Sequence, residues 1–172
     1  MDAATLPDEV NATIARLGGA EVVVGLATAG PIPALAAVAA AVRAGLDAHC
    51  AGQAAAVVHV DQTPSEETAA AVSAALGDLR VVPVPAAGSH GDDGLDWSSA
   101  VRAVLTVGRR LEARAIVMLN ADLSSMTGEW LRGLAVPVLK DDYGLMLPLY
   151  RRYRYDGIRI RAIELRIAPV RK

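Results

Sequence analysis

The chain has 172 residues, enough for one domain that buries roughly 70% of its unfolded surface. Apolar residues make up 53% of the sequence and aromatic residues only 3%, with no Phe, so the core must be built from Ala, Val, Leu and Ile. A net charge of −2 gives no general electrostatic reason to expect nucleic acid or an anionic membrane as a partner, and the single Cys50 excludes an internal disulfide and favours a reducing compartment.

The N-terminal residues predict a short helix and no targeting signal. Pro7 and two acidic residues begin this helix, and Gly18-Gly19 ends it. The start of the chain lacks the basic and apolar segments of a signal peptide. The Ala-rich run at residues 32–41 is too short to cross a bilayer. We therefore expect a soluble cytoplasmic protein.

Predicted strands and helices alternate along the rest of the chain. The strands are predicted at residues 21–27, 54–60, 79–84 and 115–119, and the helices between them at residues 33–49, 64–76 and 97–112. Thr63 and Thr127 offer hydroxyl N-caps for the helices that follow them. The last strand is wholly apolar, which predicts burial on both faces. This order predicts an α/β, Rossmann-like fold with a mainly parallel sheet flanked by helices.

Two of the predicted strands end in side chains that carry oxygen atoms. Asn120 and Asp122 follow the last strand, and Asp61 ends the second. Open α/β sheets bind ligands at the carboxyl ends of their strands. Amide and carboxylate oxygens suit Mg²⁺ or Mn²⁺ with a diphosphate, and Asp61 suits a ribose or a base edge. The alternative is structural, with both acids and Asn120 bound to backbone amides of their own turns.

Other common sites are absent from the sequence. Gly30 is not followed by Lys-Ser/Thr, so there is no P-loop, and no Gly-x-Gly-x-x-Gly fingerprint occurs. The three His residues lack Cys or acidic partners at the spacing of a zinc site or a Cys/His dyad. Residues 148–157 combine three Tyr, three Arg and one Asp, which suits either recognition of an acid and a sugar or a basic surface loop.

Together these features resemble one family of enzymes. The turn at Asn120, followed by Leu-Ser-Ser-Met-Thr-Gly-Glu-Trp, and the later Pro-Leu-Tyr-x-Arg-x-x-Tyr-Asp-Gly segment resemble the retaining GT-A glycosyltransferases that make glucosylglycerate, mannosylglycerate or glucosyl-3-phosphoglycerate. The resemblance covers residues 21–157. It implies the nucleotide-sugar-binding half of such an enzyme, which would transfer a hexose to glycerate or phosphoglycerate.

The resemblance also implies roles for particular residues. Thr28, Asp61, Asn120 and Asp122 would bind the nucleotide-sugar donor. Asn120 and Asp122 would also hold a divalent cation, Mg²⁺ or Mn²⁺, although weakly because Asn120 replaces an acid. The glycerate-type acceptor would be bound by a third pair of side chains, Arg152 and Asp156. No catalytic residue is identified.

Several departures from the family lead to rival hypotheses. No Lys occurs between Pro85 and Leu105, where the family has a Gly-Lys-Gly-like element, and residues 158–172 bear no resemblance to it. We expect residues 1–157 to be an incomplete GT-A domain, and the tail to be a substituted terminus that could form an edge strand. The rivals are a non-catalytic remnant or partner module, and an unrelated Rossmann-like enzyme. An unfinished sheet edge would favour a homo-oligomer.

Overall fold

The computed structural model describes residues 6–29, 33–63, 65–77, 79–85, 97–123, 125–141 and 143–147. Within them the fold is α/β, with four parallel strands and five helices, as the sequence predicts. The elements in chain order are α1 (Asp8–Leu17), β1 (Val22–Thr28), α2 (Leu35–His49), β2 (Ala55–Asp61), α3 (Glu66–Leu76), β3 (Arg80–Pro85), α4 (Trp97–Arg110), β4 (Ala115–Asn120) and α5 (Glu129–Lys140). No helix among these residues is long and apolar enough to cross a membrane.

The sheet has the strand order β3-β2-β1-β4. The chain moves outward from β1 to β3 and then returns past β1 to place β4 on the other side. Right-handed crossovers in opposite directions require helices on opposite faces of the sheet. Accordingly α2 and α3 cover one face together with α5, and α1 and α4 cover the other. The reversal of direction lies between β1 and β4, where α/β folds form their ligand crevices.

Small residues let the helices approach the sheet and one another closely. A Cβ atom on Gly25 of β1 would lie 2.6 Å from the side chain of Val104 in α4. A Cβ on Gly45 of α2 would lie 2.7 Å from the carbonyl oxygen of Gly128, at the start of α5. The Ala- and Val-rich composition therefore produces a thin, tightly packed core on both faces of the sheet.

Both predicted helix caps are wrong by one or two residues. Ser65, not Thr63, is the N-cap of α3, because Ser65 has the extended backbone of a cap and its side chain accepts the Thr68 N–H at 3.1 Å. Gly128, not Thr127, is the N-cap of α5. Its contact with Gly45 leaves no space for a side chain at that position.

The predicted burial of β4 on both faces is also wrong. Ala115, Val117 and Leu119 are buried against α5 and α2, but Ile116 and Met118 on the opposite face are only half-buried. The reason is the strand order: β4 lies at the edge of the described sheet, where neighbouring elements cover it less completely. An apolar run therefore did not distinguish an edge strand from a central one.

Candidate functional site

Three neighbouring strands end in polar side chains at the carboxyl edge of the sheet. Thr28 at the end of β1 lies beside Asp61 at the end of β2, and Ala27 lies beside Asn120 at the end of β4. Since β1 separates the other two strands, the backbones at Asp61 and Asn120 are about 10 Å apart. The predicted donor-binding residues therefore share one edge of the sheet but form two groups, one on each side of β1.

The first group is a buried cluster at the ends of β1 and β2. Thr28, His59 and Asp61 have exposed fractions of 0%, 4% and 8%. The Oγ1 atom of Thr28 lies 3.1 Å from Nε2 of His59, within hydrogen-bond distance. Burial lowers the pKa of His59, and the carboxylate of Asp61 opposes this shift only in part. His59 is therefore neutral at physiological pH. Its hydrogen bond holds the hydroxyl of Thr28 in one orientation.

The carboxylate of Asp61 also has a local structural role. Its Oδ1 atom accepts the backbone N–H of Thr63 at 3.0 Å, which forms the Asx turn that the sequence left open as an alternative. An ionised carboxylate has about four acceptor positions on its two oxygens, so one such bond leaves capacity for a ligand. The two roles of Asp61 are compatible.

The second group lies at the end of β4 and is more accessible. Asn120 is half-buried, and its Oδ1 atom is 3.5 Å from the backbone N of Asp122, at the limit of a hydrogen bond. Asp122 is exposed. Because side chains alternate along a strand, Asn120 lies on the α4 face of the sheet, whereas Thr28 and Asp61 lie on the α2 face.

The described residues offer a minimal ligand set for a metal ion. Among them no group of three or more His, Cys, Asp or Glu side chains is placed to hold one. Asn120 and Asp122 supply one amide and one carboxylate. Protein-bound Mg²⁺ commonly keeps several waters and takes one or two protein carboxylates together with substrate phosphates. This ligand set fits a cation that arrives with a diphosphate, and does not fit a cation bound by the protein alone.

An apolar groove of about 690 Å³ runs along the outer edge of β4, which forms its floor. We call it the edge groove. Trp97, Val101 and Leu105 of α4 form one wall. The opposite wall and the rim come from α5 and from the segment after it: Trp130, Leu134, Val138 and residues 144–147. Asn120 lies among the lining residues, so the groove adjoins the polar site.

The buried cluster contains one residue that the sequence analysis did not predict, His59. His59 was considered only as one of three His residues without the partners of a zinc site or a dyad. It lies two residues before Asp61, and this spacing places both side chains on one face of a strand. That periodicity was the available signal. The predicted acceptor residues Arg152 and Asp156 lie outside the described residues.

Comparisons with known proteins give no family assignment: no protein-family model matches the chain, and a search of curated proteins finds no match.

Proposed function

We propose that this protein binds a nucleotide sugar at the carboxyl edge of its sheet, as the donor-binding half of a GT-A-type glycosyltransferase. The reaction proposed for this fold is transfer of a hexose to glycerate or phosphoglycerate. One observation supports the proposal most: Thr28, Asp61 and Asn120 end three adjacent parallel strands beside the reversal point between β1 and β4.

The two groups at this edge suit the two ends of a nucleotide diphosphate. Thr28 and Asp61 provide a hydroxyl and a carboxylate held rigidly by burial and by His59, which suits recognition of a ribose or a base. Asn120 and Asp122 provide accessible oxygens one strand beyond β1. We therefore assign the nucleoside to the β2 side of β1 and the diphosphate to the β4 side.

A divalent cation belongs to the β4 group in this proposal. Asp122 and Asn120 would hold it, and when bound it would neutralise charge on the departing nucleoside diphosphate. Because the protein contributes a single carboxylate, we expect cation binding to depend on the nucleotide. The free, buried thiol of Cys50 accords with a reducing, cytoplasmic setting for this activity.

The acceptor side of the proposal rests on the resemblance alone. Arg152 can bind a carboxylate or a phosphate through two parallel hydrogen bonds, and Asp156 can accept hydrogen bonds from hydroxyl groups. We propose that they bind the glycerate-type acceptor. Arg152→Lys keeps the charge and loses the bidentate geometry, so it should weaken acceptor use while nucleotide binding is unchanged.

The second candidate is a non-catalytic module that binds a nucleotide and transfers nothing. The small number of carboxylates at the β4 group favours it, since the described residues place only Asp122 and an amide there. Both candidates predict nucleotide binding at the same edge. Hexose transfer distinguishes them, because only the enzyme consumes the sugar donor.

Calorimetric titration tests the proposal directly. UDP, GDP and their glucose and mannose derivatives are titrated into the protein with Mg²⁺, with Mn²⁺ and with EDTA. We expect metal-dependent binding that falls about tenfold or more in Asp122→Asn, because the single carboxylate at the cation is lost. Asp47→Asn is the matched control, since Asp47 is an exposed acid at the end of α2 whose pair with Arg43 contributes little.

The reverse substitution tests the role of Asn120. Asn120→Asp adds a second carboxylate, so metal-dependent binding should tighten by about tenfold, because ligand charge sets the affinity of such sites. If no nucleotide binds under any condition, or if Asp122→Asn and Asp47→Asn behave alike, the proposal is wrong. Binding without release of free hexose or formation of a glycosylated acceptor would leave the non-catalytic candidate.

A further inference from the structure

The edge groove has the size and the lining of a site for a small molecule. Its volume of about 690 Å³ lies in the range of roughly 300–1,000 Å³ that is common for ligand pockets. Its floor is β4, and its walls are mostly apolar side chains of α4 and α5. Trp97 and Leu105 on the α4 wall are 41% and 47% exposed. An apolar chain that covers these walls would therefore remove apolar surface from water.

The end of the groove where β4 begins has a cation that is already paired. Arg114 precedes β4 and lines the groove. Its Nη2 atom donates to the carbonyl oxygen of Leu139 at 3.0 Å, and its Nη1 atom lies 3.4 Å from the carboxylate of Glu21. The charge of the guanidinium is therefore balanced within the protein, and this end gives no reason to expect an anionic ligand.

The opposite end of the groove, where β4 ends, offers polar groups that can bind a ligand. Asn120 lines the groove there, and its Nδ2 atom has no hydrogen-bond partner in the described part of the chain. The exposed carboxylate of Asp122 follows two residues later. Amide N–H donors beside a carboxylate suit hydroxyl groups, which accept and donate hydrogen bonds. The negative charge of Asp122 disfavours an anion at the same place.

We propose that the edge groove binds an uncharged amphiphile of the alkyl glycoside type, which has an apolar chain and a head that carries hydroxyl groups. The chain lies along β4 between the apolar walls, and the head lies at Asn120, where its hydroxyl groups accept from the amide and donate to Asp122. The difference between the two ends of the groove sets this orientation. The ligand needs neither a nucleotide nor a cation, so the inference goes beyond the proposed function.

Calorimetric titration of the full chain with hexyl, heptyl and octyl glucoside tests the inference. The glucosides are kept below their micelle concentrations, in EDTA and without nucleotide. We expect saturable binding of one ligand per chain, with an affinity that rises about two- to fourfold for each added methylene group. Octanoate has a chain of similar length and a charged head, and should bind at least about threefold more weakly than octyl glucoside.

The charge of Asp122 should account for the weaker binding of octanoate. Asp122→Asn keeps an oxygen that accepts hydrogen bonds and removes the charge, so octanoate should bind about two- to threefold more tightly. Octyl glucoside should bind nearly as before. The same substitution is expected to weaken nucleotide binding, so its effects on the two ligands have opposite signs.

A pair of exposed apolar residues locates the bound chain. Leu105→Gln removes an apolar side chain from the α4 wall and should weaken the binding of octyl glucoside at least about fivefold. Tyr143→Gln is the matched control, because Tyr143 is 56% exposed but is not among the residues that line the groove. Both positions are exposed, so neither substitution should prevent folding.

Three results overturn the inference. They are the absence of saturable binding of octyl glucoside, equal binding of octanoate and octyl glucoside, and equal affinities in Leu105→Gln and Tyr143→Gln. Because the titrations contain EDTA and no nucleotide, such a failure leaves the proposed nucleotide-sugar site intact. A protein that binds no nucleotide can in turn still bind the glucoside, so the two proposals fail separately.

Discussion

The polar side chains on the two sides of β1 differ in how deeply they are buried and in whether they bond to other groups of the protein. On the β2 side, Thr28 and His59 are buried and bonded to each other, and Asp61 closes its own turn. On the β4 side, Asn120 is half-buried and Asp122 is exposed. The polar residues on the β2 side therefore already make contacts that stabilise the fold. Those on the β4 side are open to solvent and have no comparable buried contact among the described residues.

The two outer edges of the sheet differ in the same direction. β3 contains Pro83 and Pro85, both exposed, and a proline has no N–H to offer to another strand. Prolines are a common means of blocking an edge against further pairing. β4 has neither a proline nor a charge from Ala115 to Leu119, and the edge groove lies beside it. In the described part of the sheet, the β3 edge therefore offers fewer backbone N–H groups to a further strand than the β4 edge does.

The largest expected effect comes from breaking the support of β4. Helix α5 covers β4 and meets α2 through the backbone contact of Gly45 with Gly128. Gly45→Ala places a Cβ 2.7 Å from a carbonyl oxygen that cannot move freely, and should lower the free energy of unfolding by about 3 kcal/mol. Urea unfolding measures this change.

The matched control for that variant is in α5 itself. Gly133→Ala adds a Cβ with no atom within 4 Å and should raise the free energy of unfolding by up to about 1 kcal/mol through helix propensity. If both variants lose stability equally, the contact between Gly45 and Gly128 does not determine how closely α5 packs against α2.

A smaller loss is expected from the buried cluster on the β2 side. Thr28→Val keeps the shape of the side chain but leaves the buried Nε2 of His59 without its partner, which should cost about 1–2 kcal/mol. Thr106→Val removes an exposed hydroxyl that bonds to Arg102, and should change stability by less than about 0.5 kcal/mol. Equal losses in the two variants would contradict a structural role for the Thr28 hydroxyl.

The same cluster predicts a dependence of stability on pH. The pKa of His59 in the folded protein lies below its ordinary value of 6.5, so between these two values the unfolded chain binds a proton that the folded protein does not. The free energy of unfolding should therefore fall as the pH falls below 6.5, and this decline should end below the folded pKa. His59→Gln should be less sensitive over that range. A steeper decline in the variant would mean that other groups dominate.

The smallest expected effect is on the stability of the exposed site. Asp122→Asn should change the free energy of unfolding by less than about 0.5 kcal/mol, because Asp122 is exposed at the end of β4. Together with a loss of nucleotide binding, this would separate a binding role from a structural one. A large loss of stability would instead place Asp122 among the residues that maintain the fold.

The sequence predicted the order of elements well because that order depends on local patterns. Apolar runs and acid-rich helix starts identified strands and helices to within a few residues, and Gly18 ends α1 as expected. The hydroxyl caps were misplaced because Thr63 and Ser65 lie two residues apart and both can cap. A local pattern cannot decide which of two nearby hydroxyl residues is the N-cap.

Long-range features were not predicted, for a physical reason. The bond between Thr28 and His59 joins residues 31 positions apart, and depends on the register of β1 against β2. The edge position of β4 depends on which way the chain returns after β3. The two prolines of β3 were the one local sign of an edge, since central strands exclude proline.

The positions of the two tryptophans allow changes in the edge groove to be followed by intrinsic fluorescence. The chain contains only Trp97 and Trp130, and they line opposite walls of that groove. Intrinsic fluorescence of the native protein therefore originates almost entirely beside β4. Any strand, ligand or second subunit that excludes solvent there should shift the emission to shorter wavelength, so its arrival can be timed in a stopped-flow instrument without a dye or an engineered label.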